Sequence, residues 1–215
     1  MENTDRAKGI DVNGWHPVTD FSLLASSDVR FVGVKTTEGL HSADRMLTRH
    51  RDGLRHLDLD LIVYYHFARS GSAADQAYRL MSAVGDLRAN ERLCLDLEVS
   101  LGDSVNVEQW LNEFFSVIGG KYPEKKQFVY TSKRVWDMLG GKDWRGHNTE
   151  LWAPRYNNAD LEPRIPSPWE AWKIWQWTDG GDHGPSYSCP GVGACDANYW
   201  NGSNADLKKW MGENP

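Results

Sequence analysis

Apolar positions along this chain recur with two periods in alternation. Short runs in which every residue, or every second residue, is apolar read as strands. Longer stretches with apolar residues three and four apart read as helices. Lys8 to Asn13 is a first short strand with Asp11 near its C-terminal end. Asp20 is a plausible N-cap for a short helix from Phe21 to Ala25. Phe31 to Lys35 is a second strand, running on into Thr36, Thr37, Glu38 and Gly39. Ala43 to His56 is predicted as a polar helix with Met46, Leu47 and Leu54 on one face. Leu61 to Phe67 is a third strand, nearly all apolar, as expected of a strand covered on both sides. Ser72 then caps a helix, with Asp75 in capping-box position and Ala73, Ala77, Leu80, Met81, Val84 and Leu87 at helical spacing.

The fourth strand, Arg92 to Val99, alternates most clearly. Leu93, Leu95, Leu97 and Val99 share one face, suited to packing under helices, and Cys94, Asp96 and Glu98 the other. The second face therefore carries two carboxylates roughly 7 Å apart along the strand. Burial and mutual repulsion disfavour ionising both, so one carboxyl is expected to hold its proton to higher pH. An acid beside a carboxylate is the equipment of glycoside hydrolysis. A helix from Asn106 follows, with Val107, Trp110, Leu111, Phe114, Phe115 and Ile118 buried and Gly119-Gly120 as its stop. Gln127 to Thr131 is a fifth strand, and Lys133 to Leu139 a short helix. In the last third, Leu151-Trp152-Ala153, Trp172 to Trp177 and Cys195 to Trp200 read as strands. Pro154, Pro163, Pro166 and Pro168 leave little room for helix between the first two, and Ser203 to Met211 forms a last helix.

Strand and helix alternation argues an α/β protein with a parallel sheet, and eight strands argue an irregular TIM-like barrel. No repeat or linker interrupts it, so residues 1–215 read as a single domain. Active residues of such barrels stand at the C-terminal strand ends, and Asp11, Asp96, Glu98 and Asp196 are all read at that position, converging on one mouth.

Composition narrows the class. A hydrophobic content of 40% with 25% charged residues is that of a globular chain, and no apolar run reaches the length of a membrane span. A net charge of −6 without a basic stripe argues against a nucleic-acid partner. The aromatic content, 11 Trp, 8 Tyr and 6 Phe, is unusual, and core filling explains most of it. A minority is assigned to a binding cleft, because aromatic faces suit the apolar faces of sugars. Cys94 reads as an inert buried residue. Cys189 and Cys195 flank a Pro-Gly-Val-Gly-Ala loop and are compatible either with a disulfide or with two thiols. No metal or other cofactor is expected, since no Cys/His cluster stands at ligand spacing.

The ordered set Gly9-Ile10-Asp11-Val12, Phe31 to Gly39, Tyr65-His66-Phe67, Leu95-Asp96-Leu97-Glu98, Leu151 to Tyr156, Trp175-Gln176-Trp177-Thr178 and Asp196-Ala197-Asn198 resembles glycoside hydrolase family 25, the Chalaropsis-type lysozymes or N-acetylmuramidases. The resemblance spans residues 8 to about 200. It implies a (β/α)5β3 barrel and cleavage of the β-1,4 bond between N-acetylmuramic acid and N-acetylglucosamine in peptidoglycan glycan strands. By motif match it makes Glu98 the general acid. Asp96 becomes its partner, Asp11 and Asp196 two further cleft acids, and Tyr65 an active-site tyrosine. His16 and Pro154 depart from the family pattern, which bears on cleft shape and not on the acids.

Tyr156, Trp175 and Trp177 are further candidate sugar contacts. The two tryptophans are expected to face opposite ways, so that at most one lines the cleft. Lys35 and Glu38 are expected to form a structural ion pair, and His16 and His66 to be ordinary polar residues. Two rival classes are weighed. A catalytically silent sugar-binding module has little use for adjacent carboxylates against an anionic polymer. A metal-dependent deacetylase needs Asp/His clusters at ligand spacing. The chain is expected to act as a monomer. The N-terminal MENTDRAKGI has no apolar segment of signal-peptide type, so either a leader lies outside this sequence or the wall is reached by another route, with phage-type release or effector delivery expected ahead of ordinary secretion.

Overall fold

Computed from the sequence, the structural model describes residues 5–141, 144, 146, 148–157 and 161–212. In chain order the elements are β1 (Lys8–Val12), α1 (Phe21–Ala25), β2 (Val29–Glu38), β3 (Ser42–Ala43), α2 (Leu47–Leu54), β4 (Leu61–Phe67), α3 (Ala73–Val84), β5 (Glu91–Asp96), α4 (Val107–Lys121), β6 (Gln127–Tyr130) and α5 (Lys133–Leu139). There follow β7 (Thr149–Pro154), β8 (Trp172–Thr178), β9 (Ser188–Cys189), β10 (Gly193–Ala194), β11 (Ala197–Trp200) and α6 (Asn204–Trp210).

The main sheet runs β1-β11-β8-β7-β6-β5-β4-β2-β3, and parallel pairing of β1 with β2 closes it into an α/β barrel of eight strands, with β3 as an outlying ribbon on β2. Seven of the barrel strands run parallel, and β11 lies antiparallel between β1 and β8. A barrel with five strand–helix units and three closing strands is the result.

Strand alternation sorts the side chains into two layers. Cys94 joins Phe31, Val63, Phe128, Trp152 and Ile174 inside the barrel. Leu93, Leu95 and Leu97 face outward into the layer formed with Leu80 of α3 and Leu111 and Phe114 of α4. Phe114 is wholly buried and stacks on Trp110 with centroids 5.5 Å apart. Burial of a side chain of this size stabilises by roughly 1.5–3 kcal/mol. At the end where the parallel strands begin, Leu207 and Trp210 of α6 pack onto the interior, Trp210 meeting Trp200 at 5.1 Å and Phe128 at 5.6 Å. The opposite end is left for the cleft.

Helix starts follow the sequence signals. Asp20, Ser72, Asn106, Ser132 and Ser203 each accept a backbone N–H in the first turn of the helix they precede. Two expectations are corrected. Ser42 and Ala43 pair with Glu38 and Thr37, and Asp44 then accepts the Met46 N–H at 2.8 Å. The helix predicted from Ala43 therefore begins at Leu47. Helix α4 runs through Gly119 and Gly120 to Lys121 and ends before Pro123, which lacks the N–H to continue it. Cys94, Cys189 and Cys195 are buried free thiols, and burial pushes the Cys189 thiol up to about 11.

Candidate active site

Four acids meet at the open end of the barrel. Asp11 is the penultimate residue of β1, Asp96 the last of β5, and Glu98 stands two residues beyond it. Asp196 immediately precedes β11 and is thus not at a C-terminal strand end as expected. It reaches the same mouth because β11 is antiparallel, so that its beginning lies beside the ends of the parallel strands. The backbone fixes this closely, Asp11 N–H donating to the Asp196 carbonyl at 3.1 Å. The cleft measures about 200 Å³, and Lys35, Tyr65, Tyr156 and Trp152 line it together with the four acids.

Gln176 holds the two outer acids together. Its Oε1 accepts the Tyr130 hydroxyl at 2.6 Å and the Tyr156 hydroxyl at 3.0 Å. Two phenolic donors on the carbonyl turn the amide nitrogen toward carboxylates. Nε2 donates to Oδ2 of Asp11 and, at 3.2 Å, to Oδ2 of Asp196. Asn198 completes the frame: Trp152 Nε1 donates to its Oδ1 at 2.9 Å, and its Nδ2 donates to Oδ1 of Asp11 at 3.1 Å. Gly33 makes room for this arrangement. A Cβ there would sit 2.3 Å from Oδ1 of Asp11 and 2.5 Å from the Trp152 ring.

The inner pair differs. Asp96 is buried, and its Oδ1 has no hydrogen-bond partner among the described residues. Burial first, then the nearby Glu98, pushes its carboxyl well above the ordinary range, with Lys35 opposing. Glu98 opens onto the cleft. Desolvation by its flanking walls and the charge of Asp196 raise its pKa, again against Lys35. Burial and Asp196 raise Asp11, while the Gln176 and Asn198 bonds work the other way. Asp196 is pushed from an ordinary 3.8 to about 6, chiefly by desolvation, with His16 opposing and Asp179 and Asp182 adding to the rise. Such a site holds protons to unusually high pH and has one cation, Lys35, lining its cleft among the described residues. Proton donation to a leaving oxygen is what such a site can do.

The structure brings Asp11, Asp96, Glu98, Asp196, Tyr65 and Tyr156 together at the cleft and leaves Trp175 and Trp177 outside it. Those two residues are two apart and so share a face rather than opposing one another. Both face away from the interior: Trp175 is wholly buried and donates to the Arg155 carbonyl at 2.9 Å, and Trp177 stacks on Tyr199 at 5.6 Å. The intervening Gln176 points inward instead. Trp152 fills the position of cleft aromatic, meeting Tyr65 and Tyr130 edge to face at 6.1 and 5.4 Å. Gln176, Asn198 and Trp152 were not singled out in the sequence, although strand alternation around Ile174 could have found the first.

Lys35 pairs with Glu38 at 3.3 Å, and Arg69 binds the same carboxylate, so the ion pair is shared. His66 is buried behind the cleft between Thr37 Oγ1 at 2.7 Å and Gln76 Oε1 at 2.8 Å. The Arg69 backbone fixes the Gln76 amide, so His66 donates from Nε2 and accepts at Nδ1. Burial lowers its pKa to about 4, and it is neutral at pH 7. Among the described residues no group of three or more His, Cys, Asp or Glu is disposed to hold a metal ion, and no helix is long and apolar enough to cross a membrane.

Comparison with known proteins agrees with this fold. The chain is 26% identical over 220 residues to lysozyme M1 of Streptomyces globisporus, covering 95% of this chain and 71% of that protein. It is 26% identical over 221 residues to the N,O-diacetylmuramidase of Chalaropsis sp., covering 94% and 97%. The crystal structure of a bacterial lysozyme from Streptomyces coelicolor superposes with a TM-score of 0.82 at 25% identity, over 97% of this chain and 98% of the other. The profile of glycosyl hydrolases family 25 matches residues 10–184, and the chain belongs to that family.

Proposed function

We propose that this glycoside hydrolase is a peptidoglycan-cleaving N-acetylmuramidase, acting on the β-1,4 bond between N-acetylmuramic acid and N-acetylglucosamine with retention of configuration. Its relatives' names, a lysozyme and a diacetylmuramidase, support the substrate. The observation that carries the mechanism is the contrast in placement between two carboxyls that are both raised: Glu98 opens onto the cleft, whereas Asp96 is buried with an unpartnered Oδ1.

Glu98, protonated, donates to the glycosidic oxygen as the bond to the anomeric carbon breaks. The carbonyl oxygen of the substrate's own 2-acetamido group attacks that carbon from the opposite face. Asp96 accepts the acetamido N–H at its free Oδ1, which orients the amide and, as the carboxylate, offsets the positive charge that develops on it. Burial and Glu98 hold Asp96 toward its acid form in the free cleft, and Lys35 together with the acetamido N–H favours the carboxylate against them. Water then attacks the anomeric carbon and gives its proton to Glu98, restoring the acid. Two inversions yield net retention, the substrate-assisted variant of glycoside hydrolysis. Action on the wall requires delivery beyond the cytoplasmic membrane, and the proposal extends to release of phage or effector type.

The test follows the first-formed anomer by NMR during digestion of purified glycan strands. The β-anomer is expected first, with de-N-acetylated strands resisting cleavage. Initial release of the α-anomer, or undiminished cleavage of de-N-acetylated strands, would contradict substrate assistance.

A further inference from the structure

Trp15 is 83% exposed, the most exposed of the large apolar side chains among the described residues. An isolated surface tryptophan needs no explanation, but this one is held by a built loop. Asn13 Oδ1 accepts the Trp15 and His16 N–H groups at 2.7 and 2.9 Å. Asp44 accepts the Gly14 N–H at 2.8 Å, and Arg45 donates to the Gly14 carbonyl through Nε at 3.2 Å and again through Nη2. The Arg45 guanidinium lies 5.5 Å from the centre of the indole. The ring is thus backed from below and offered to solvent above, four residues past Asp11 on the loop that leaves β1.

A second cavity of about 230 Å³ lies next to the acid cleft and shares Trp15 and Lys35 with it. Arg45, Ser42 and Thr37 also line it. The acid cleft, at about 200 Å³, is below the roughly 300–1,000 Å³ of pockets that hold a drug-sized ligand, and the neighbouring cavity that shares its Trp15 and Lys35 walls adds about as much again. The wall also holds the Glu38 and Asp44 carboxylates, so the flat indole stands beside both donors (Lys35, Arg45, Ser42) and acceptors, which matches a pyranose ring with its apolar face and its rim of hydroxyls.

We infer that Trp15 and the cavity behind it form an additional glycan subsite, with the indole as platform for an N-acetylhexosamine beyond the scissile pair. The inference rests on the muramidase reading. It makes the enzyme prefer long strands, which can reach this platform as well as the acid cleft, on a loop already held by its own hydrogen bonds.

The experiment measures binding by calorimetry on Glu98→Gln, which leaves the glycan intact, using a tetrasaccharide and an octasaccharide of alternating N-acetylglucosamine and N-acetylmuramic acid. The octasaccharide is expected to bind about tenfold more tightly, as an aromatic contact and added registers together allow. With Trp15→Ala added, the ratio should fall to about twofold, the share due to registers alone, and Trp15→Tyr should restore most of the rest. A ratio unchanged by Trp15→Ala would overturn the subsite while leaving the muramidase reading intact. A Glu98→Gln protein that binds neither fragment would overturn both.

Discussion

Asp196 weakens the fold once it is ionised, and Asp196→Asn should expose the size of that cost. Its pKa is about 6 in the folded chain against an ordinary 3.8. A carboxyl whose folded pKa is raised binds its proton more tightly when folded. Below pH 3.8 both states hold the proton and no penalty exists. Between 3.8 and about 6 the unfolded chain ionises first and stability falls, and above 6 the loss is complete. At 1.36 kcal/mol per pH unit the difference between the two values converts to about 3 kcal/mol. Asp196 is half-buried and faces the water of the cleft, which reduces the expected effect to about 1–2 kcal/mol. Asparagine keeps an oxygen to accept the Gln176 N–H, which lies 3.2 Å from the carboxylate, so little packing is lost. Urea unfolding of wild type and variant across pH 3.5–8 measures the difference. The variant should be the more stable by about 1–2 kcal/mol above pH 6, with the gap closing toward pH 3.8. A gap that does not vary with pH, or a variant less stable than wild type at pH 7, would refute the reasoning.

Glu98→Gln should retain the fold and lose about 10²–10⁴ in turnover, read by turbidity of a cell-wall suspension, because the proton donor is gone. Gln176→Leu strands two phenols and two carboxylates, and should cost about 2–4 kcal/mol by chemical denaturation together with most of the activity. Gly33→Ala drives a methyl against Asp11 and Trp152, and should cost about 1–3 kcal/mol with a fall in kcat that exceeds any change in KM.

Much of this was readable in the chain because periodicity and direction carry different information. The alternation at Leu93, Asp96 and Leu97 showed which residues face the interior, and the structure keeps that division. Pattern does not reveal whether a strand runs up or down, so Asp196 was read at the wrong end of β11 although it stands at the right end of the barrel. The Trp-rich β8 drew attention to its largest residues, Trp175 and Trp177, which share the outward face. The polar residue between them, Gln176, is the one whose amide links both outer acids. Ala43 looked helical until pairing with the tip of β2 claimed it together with Ser42. Trp15 stood in a loop where no period applies, and its place beside two cavities comes from tertiary structure alone.

The central claim is the bond that is broken. Purified peptidoglycan digested by the wild-type enzyme, reduced with borohydride and resolved by mass spectrometry, identifies the new reducing end. The account predicts N-acetylmuramitol-terminated fragments, absent when Glu98→Gln replaces the enzyme. Fragments ending in N-acetylglucosaminitol, or freed stem peptides with uncut glycan, would contradict it.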